Sequence, residues 1–209
     1  MSRRELTWFE RAFIKSSRAF ADFDLGYHID FDEELIRQHG IAGFMKWGRK
    51  LWALETKLTA FFGEENMHFV AAFSSFFNGC DYCTWGHLFA VNLVHLEKTG
   101  RLYPIDERES LVLMQQGDTA VVAELERRLA EHPEHVRLLK RMLELRDGAP
   151  AQGDEDHHLG LARGLFEWIN ECSITVEAPA PPLGSIAKKK DLIARYQAAR
   201  APLRAQRAG

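Results

Sequence analysis

The feature that most constrains this chain is a break at Asn78-Gly79 between two apolar helical stretches. Upstream, Phe69, Val70, Phe73 and Phe77 recur at the period of a helix. Downstream, Leu88, Val91, Val94 and His95 continue that period to about Thr99, and Gly100 supplies a stop. Between them stands Cys80-Asp81-Tyr82-Cys83-Thr84-Trp85-Gly86-His87, which holds two of the chain's three cysteines. The rest of the chain reads as scaffold for this turn.

The other segments are also helical in period, and few read as strands. Residues 5–21 carry Leu6, Phe9, Phe13 and Phe20 on a polar background. Asp30 with Glu33 offers a capping box before Leu35-Ile36, and Gly40 is expected to end that short helix. A longer helix is expected from about Ile41 to Phe62, with Phe44, Trp47, Leu51, Leu54, Leu58 and Phe61 three or four apart. That stripe, with Trp47 and Trp52, reads as core or subunit interface. Gly63 ends it, and Glu64-Glu65 open the next helix with acids that suit its dipole. Asp106 with Glu109 offers another capping box, and Asp118 caps a helix through Leu129. Pro133 starts a helix through Leu145, ended by Asp147-Gly148. Another helix runs from about Asp156 to Val176, with Leu161, Leu165, Trp168 and Ile169 inward. Residues 178–184 form a stiff Pro-rich connector, and Ser185 caps a last basic helix interrupted at Pro202. The expectation is an all-α fold of about nine or ten helices. It is a single domain over residues 1–209, with 185–209 as a basic C-terminal helix.

Composition narrows the function. Apolar residues make up 46% and charged residues 27%, the balance of a globular chain with a sizeable core. The net charge of −3 favours no class of partner. It is uneven, because residues 185–209 carry seven Lys/Arg against Asp191 alone, leaving about −9 elsewhere. Such a tail is a solvated helix or one packed on a neighbouring subunit. Nucleic acid is not expected, since Tyr196 is its one aromatic residue. No stretch of 18 consecutive apolar residues suggests a membrane span, and Met1-Ser2-Arg3-Arg4-Glu5 leads into no signal-peptide core. Three cysteines make no disulfide framework, so in a reducing, cytoplasmic setting Cys-x-x-Cys reads as redox or metal chemistry. No phosphate-binding glycine loop, Ser-His-Asp set or carboxylate pair appears, and no cofactor is implied.

Cys80, Cys83 and His87 occupy i, i+3 and i+7, one face of a helix. Two thiols so spaced can close a disulfide. Cys83 is expected in the first turn, where unpaired backbone N–H groups stabilise a thiolate, and Asp81 opposes this slightly. His87 can hydrogen-bond the sulfur, donate a proton to a leaving oxygen or help deprotonate the thiol. Thiolate Cys83 would then attack an O–O bond, Cys80 would condense with the sulfenic acid, and an external dithiol would reduce the disulfide. Two other readings stand beside this one. The three residues can be core side chains, or with His68 they can form a four-ligand zinc set. Cys172 reads as a small buried filler, and His157-His158 as a solvated helix start.

Asn-Gly-Cys-Asp-Tyr-Cys-x-x-x-His, over about residues 64–97, resembles the signature of the AhpD-like alkylhydroperoxidase, or carboxymuconolactone decarboxylase, family. The resemblance implies an all-helical homo-oligomer with sites near subunit contacts. It implies Cys83 as the attacking cysteine, Cys80 as the resolving one and His87 in a proton relay. Its implied partners are a small hydroperoxide and a dihydrolipoyl or thioredoxin-type dithiol. Twelve residues before the first cysteine the family usually has a glutamate, where this chain has His68. Glu64, one turn earlier, shares the face of His68 and is expected to pair with it and restore the carboxylate.

Overall fold

The computed structural model describes residues 4–116, 118–177 and 179–208. Residues 1–3, the side chain of Asp118 with its capping role, Ala178 of the connector and the far end of the basic tail lie outside it. Among the described residues the chain is all-α, with nine α-helices, one 3-10 turn and no strand. The helices are α1 (Trp8–Asp24), α2 (Asp32–Phe62), α3 (Glu64–Phe77), α4 (Asp81–Thr99) and α5 (Glu107–Leu113), then α6 (Asp118–Arg128), α7 (Pro133–Arg146), α8 (Gly153–Ser173) and α9 (Lys190–Ala208), with the 3-10 turn at Ser185–Lys188.

The apolar pair α3 and α4 is the centre of the molecule. Every residue of 67–76 is buried, and so is every residue of 82–96 except Trp85. A helix buried on all sides must be wrapped by others, because no polar stripe is left to face water. Helices α2, α7 and α8 pack on α3, while α5 and α9 pack on α4. One continuous core joins Phe31, Trp47, Phe69, Phe73, Leu125, Leu138 and Phe166, and each such fully buried side chain contributes about 1.5–3 kcal/mol.

Local signals and tertiary contacts disagree at several helix ends. The chain does break at Gly40, whose φ of 67° and ψ of 176° kink α2 there. The expected Asp30–Glu33 capping box does not form. The helix begins at Asp32, whose carboxylate accepts two bonds from Arg18 (2.8 and 2.5 Å) and one from the Glu33 N–H (2.8 Å). Asp106 does cap α5, through the Arg108 N–H at 2.9 Å, but Glu109 is drawn away to Arg128. A full capping box stands instead at Thr7 and Glu10 of α1.

The C-terminal segment differs most from expectation. Ser185 opens only the 3-10 turn and makes no cap bond; its Oγ donates to Glu64 Oε1 at 2.7 Å. The last helix runs through Pro202, held on both sides of it. Arg200, 4% exposed, donates to Asn92 Oδ1 at 2.6 Å and to the Tyr103 carbonyl. Arg204 donates to both oxygens of Asp106 (2.7 and 2.9 Å) and to Glu107 (2.7 Å), and Tyr196 Oη also donates to Glu107. The basic tail is therefore a docked helix of this chain's own fold. Several aromatics of the expected apolar stripes are exposed: Phe9, Phe20 and Trp52, with Trp8 and Phe23 beside them in sequence or on the same helix.

Candidate functional site

The turn at residues 78–80 is built by backbone geometry. Asn78 closes α3, and Gly79 takes a φ of +72°, a left-handed conformation that glycine adopts without a Cβ clash. This reverses the chain and returns the Cys80 N–H to the Ser75 carbonyl at 3.0 Å. Cys80 is then the N-cap of α4, with extended φ and ψ, and Cys83 is at the third helical position.

Both sulfurs meet one hydroxyl. Ser173, the last residue of α8, holds its Oγ 3.1 Å from Cys80 Sγ and 3.2 Å from Cys83 Sγ. The same Oγ lies 3.2 Å from the Ile169 carbonyl and 3.3 Å from Asn170 Oδ1. Cys80, Cys83 and Ser173 are all buried, and both cysteines are free thiols.

The two thiols are not equivalent. A hydrogen bond from the Cys83 thiol is the largest influence on Cys80, and it favours the thiolate. Ser173 and the Cys83 backbone N–H add to it against burial, and Asp81 opposes it weakly, as its charge requires. Together they bring the Cys80 thiol down to about 7. Cys83 moves the other way, well above its ordinary value, because the Cys80 sulfur beside it and its own burial disfavour a second charge. The sequence expects the thiolate on Cys83, whereas these contacts favour Cys80 as the more acidic thiol of the pair. A charge on either sulfur disfavours one on the other, so the pair favours a single thiolate.

The histidines form a second pair. His68 Nδ1 and His87 Nδ1 are 3.0 Å apart, so one nitrogen carries the proton and the other accepts it. Both rings are buried. Burial lowers His68 to about 4 and places His87 well below its ordinary value, so both are neutral at pH 7. His87 also meets the edge of Phe166, at 5.1 Å between ring centroids. Among the described hydrogen bonds neither histidine reaches a sulfur.

The expected Glu64–His68 pair does not form. Glu64 turns to Ser185, and His68 turns inward to His87. Gly184 covers the outer side of His68, where a Cβ on Gly184 would lie 2.8 Å from both Cε1 and Nε2 of the ring. Next to it, the Leu183 N–H reaches the Gly86 carbonyl at 3.3 Å. The Pro-rich connector is thus a strap laid across α3 and α4. Among the described residues no group of three or more His, Cys, Asp or Glu is arranged to hold a metal ion, and the two Nδ1 atoms of the would-be zinc set are spent on each other.

No protein-family model, characterised protein or solved structure matches this chain.

Of the residues that sequence reasoning named, the structure joins Cys80 and Cys83 through Ser173 and pairs His68 with His87. Sequence reasoning missed Ser173 as the group between the sulfurs, and the buried Ser75 hydroxyl that faces Cys83. No local signal marks Ser173, which lies 93 residues beyond Cys80. Cys172 is buried as a filler should be, and burial raises its thiol to about 11. His157 is exposed, while His158 stacks on Phe61 at 3.9 Å.

Proposed function

We propose that this chain is a thiol-dependent peroxidase of the AhpD-like type, working through the Cys80–Cys83 dithiol without a bound cofactor. The observation that carries this reading is the placement of Cys80 at the N-cap of α4, with Cys83 and Ser173 both supporting its thiolate. The Cys80 thiolate attacks one peroxide oxygen, and its electron pair breaks the O–O bond. Sulfur becomes a sulfenic acid, and the departing alkoxide takes a proton to leave as alcohol. The Cys83 thiol then attacks the sulfenic sulfur, the S–S bond forms and water leaves. An external dithiol, of dihydrolipoyl or thioredoxin type, restores both thiols. The neutral His68–His87 pair passes protons by exchanging tautomers, without ever holding a buried charge. The roles of the two cysteines are the reverse of those that the resemblance implies. The exposed aromatics of α1 and α2 support assembly into a homo-oligomer.

The test is chemical. Mild peroxide should give a Cys80–Cys83 disulfide by mass spectrometry. Cys83→Ser should accumulate a dimedone-trappable sulfenic acid at Cys80, and Cys80→Ser should yield none. Labelling of Cys80 by iodoacetamide should rise through a midpoint near pH 7. Sulfenic acid trapped on Cys83 in Cys80→Ser would reverse the roles. Turnover of disulfides but of no peroxide would make the dithiol a thiol-disulfide reductase.

A further inference from the structure

A groove of about 270 Å³ lies between the end of α3, α7 and α8. Its walls are apolar at Phe77, Met142, Leu145 and Leu159. Asp156 and Glu167 on its rim are neutralised, by Arg141 and Arg163 respectively. The volume suits a slender ligand, just below the usual range for small-molecule sites.

Two features tie this groove to the cysteine pair. On α8 the lining positions are 156, 159, 160, 163 and 167, a single stripe at helical spacing. The next position on that stripe is Asn170, whose Oδ1 accepts from Ser173 Oγ, the hydroxyl between the sulfurs. On α3 the groove ends at Asn78, two residues before Cys80.

Unmet donors stand at and just beyond the inner end of the groove, at Asn78 in its lining and at Asn170 one step further along the α8 stripe. The side-chain Nδ2 atoms of Asn78 and Asn170 are both buried and have no hydrogen-bond partner among the described residues. A buried amide without an acceptor costs about 1–3 kcal/mol. These two flank the cysteine turn, one from each helix. They call for an oxygen that the described residues do not supply.

We propose that this groove binds the substrate of the cysteine pair. The ligand class is an unbranched amphipathic molecule whose apolar chain lies along Phe77, Met142, Leu145 and Leu159. Its oxygen-bearing end is directed inward and accepts from Asn78 and Asn170. The assignment rests on the thiol reading for its link to catalysis, but binding can be measured without turnover.

Octan-1-ol serves as an unreactive probe of this shape. At ten times its dissociation constant it should slow iodoacetamide labelling of Cys80 by about tenfold in the reduced protein. Gly160→Trp should abolish that protection, because a Cβ at Gly160 meets nothing within 4 Å and the indole would fill the groove. Gly160→Leu is the milder variant and should weaken protection in the same direction if the tryptophan disturbs folding. Protection in the wild type that is lost in these variants supports the groove, even if no peroxide is turned over, in which case only the peroxidase reading falls. Unchanged labelling with octanol present, or full protection persisting in both folded variants, overturns the groove even if turnover is normal.

Discussion

His68 and His87 decide how the molecule responds to acid. Each is neutral and buried in the folded chain, whereas in the unfolded chain each takes up a proton near pH 6.5. The sign follows from linkage. Above pH 6.5 the full stability is present, and it is lost as pH falls toward the folded value of about 4 for His68, because only the unfolded state binds the proton. For His68 alone the loss over that window is on the order of 3 kcal/mol. His135, also lowered to about 4 by burial, adds a loss of the same sign. Urea denaturation at pH 7.5 and pH 4.5 should therefore show a smaller loss in His68→Gln than in the wild type. Parallel losses in the two proteins would contradict it. The sequence made the candidate residues legible at this scale, because Cys80, Cys83 and His87 lie within one local stretch and His68 within the helix before it. It could not show that His68 abandons Glu64 for His87, nor that Ser173 divides the sulfurs, since both depend on packing between α3, α4 and α8.

Helix identity was legible from apolar period, and helix ends were less so. Asp30 and Glu33 satisfy a capping pattern, yet Arg18 claims Asp32, and α2 starts one residue later than that pattern sets it. Charged partners from another helix outweigh a cap worth about 1 kcal/mol. The strap shows the opposite case, an irregular segment with closer steric demands than any helix end. Gly184 has a φ of +85° and lies against the His68 ring, so a methyl there has neither the conformation nor the room. Gly184→Ala should cost about 1–3 kcal/mol and lower the thermal midpoint, read by circular dichroism. A midpoint within experimental error of the wild type would mean that the strap yields readily.

The whole molecule is held closed by its C-terminal helix. Arg200 satisfies Asn92, the Tyr103 carbonyl and Tyr196 inside the protein, and Arg204 joins Asp106 and Glu107. Arg200→Met should cost about 3–5 kcal/mol by urea denaturation, since the acceptors it leaves behind stay buried. A loss under about 1 kcal/mol would show that water reaches them. The all-α architecture was readable from the sequence, but this docking was not: seven cations in a tail look alike whether they face solvent or a buried carboxylate. The position of Ser173 and the strap has a temporal consequence. Synthesis runs from the N-terminus, and 93 residues separate Cys80 from the serine that covers it. At roughly 5–20 residues per second, the two thiols are made about 5–20 s before their cover exists. Each newly made chain thus passes through an interval in which its dithiol is open to any oxidant in the surrounding solution.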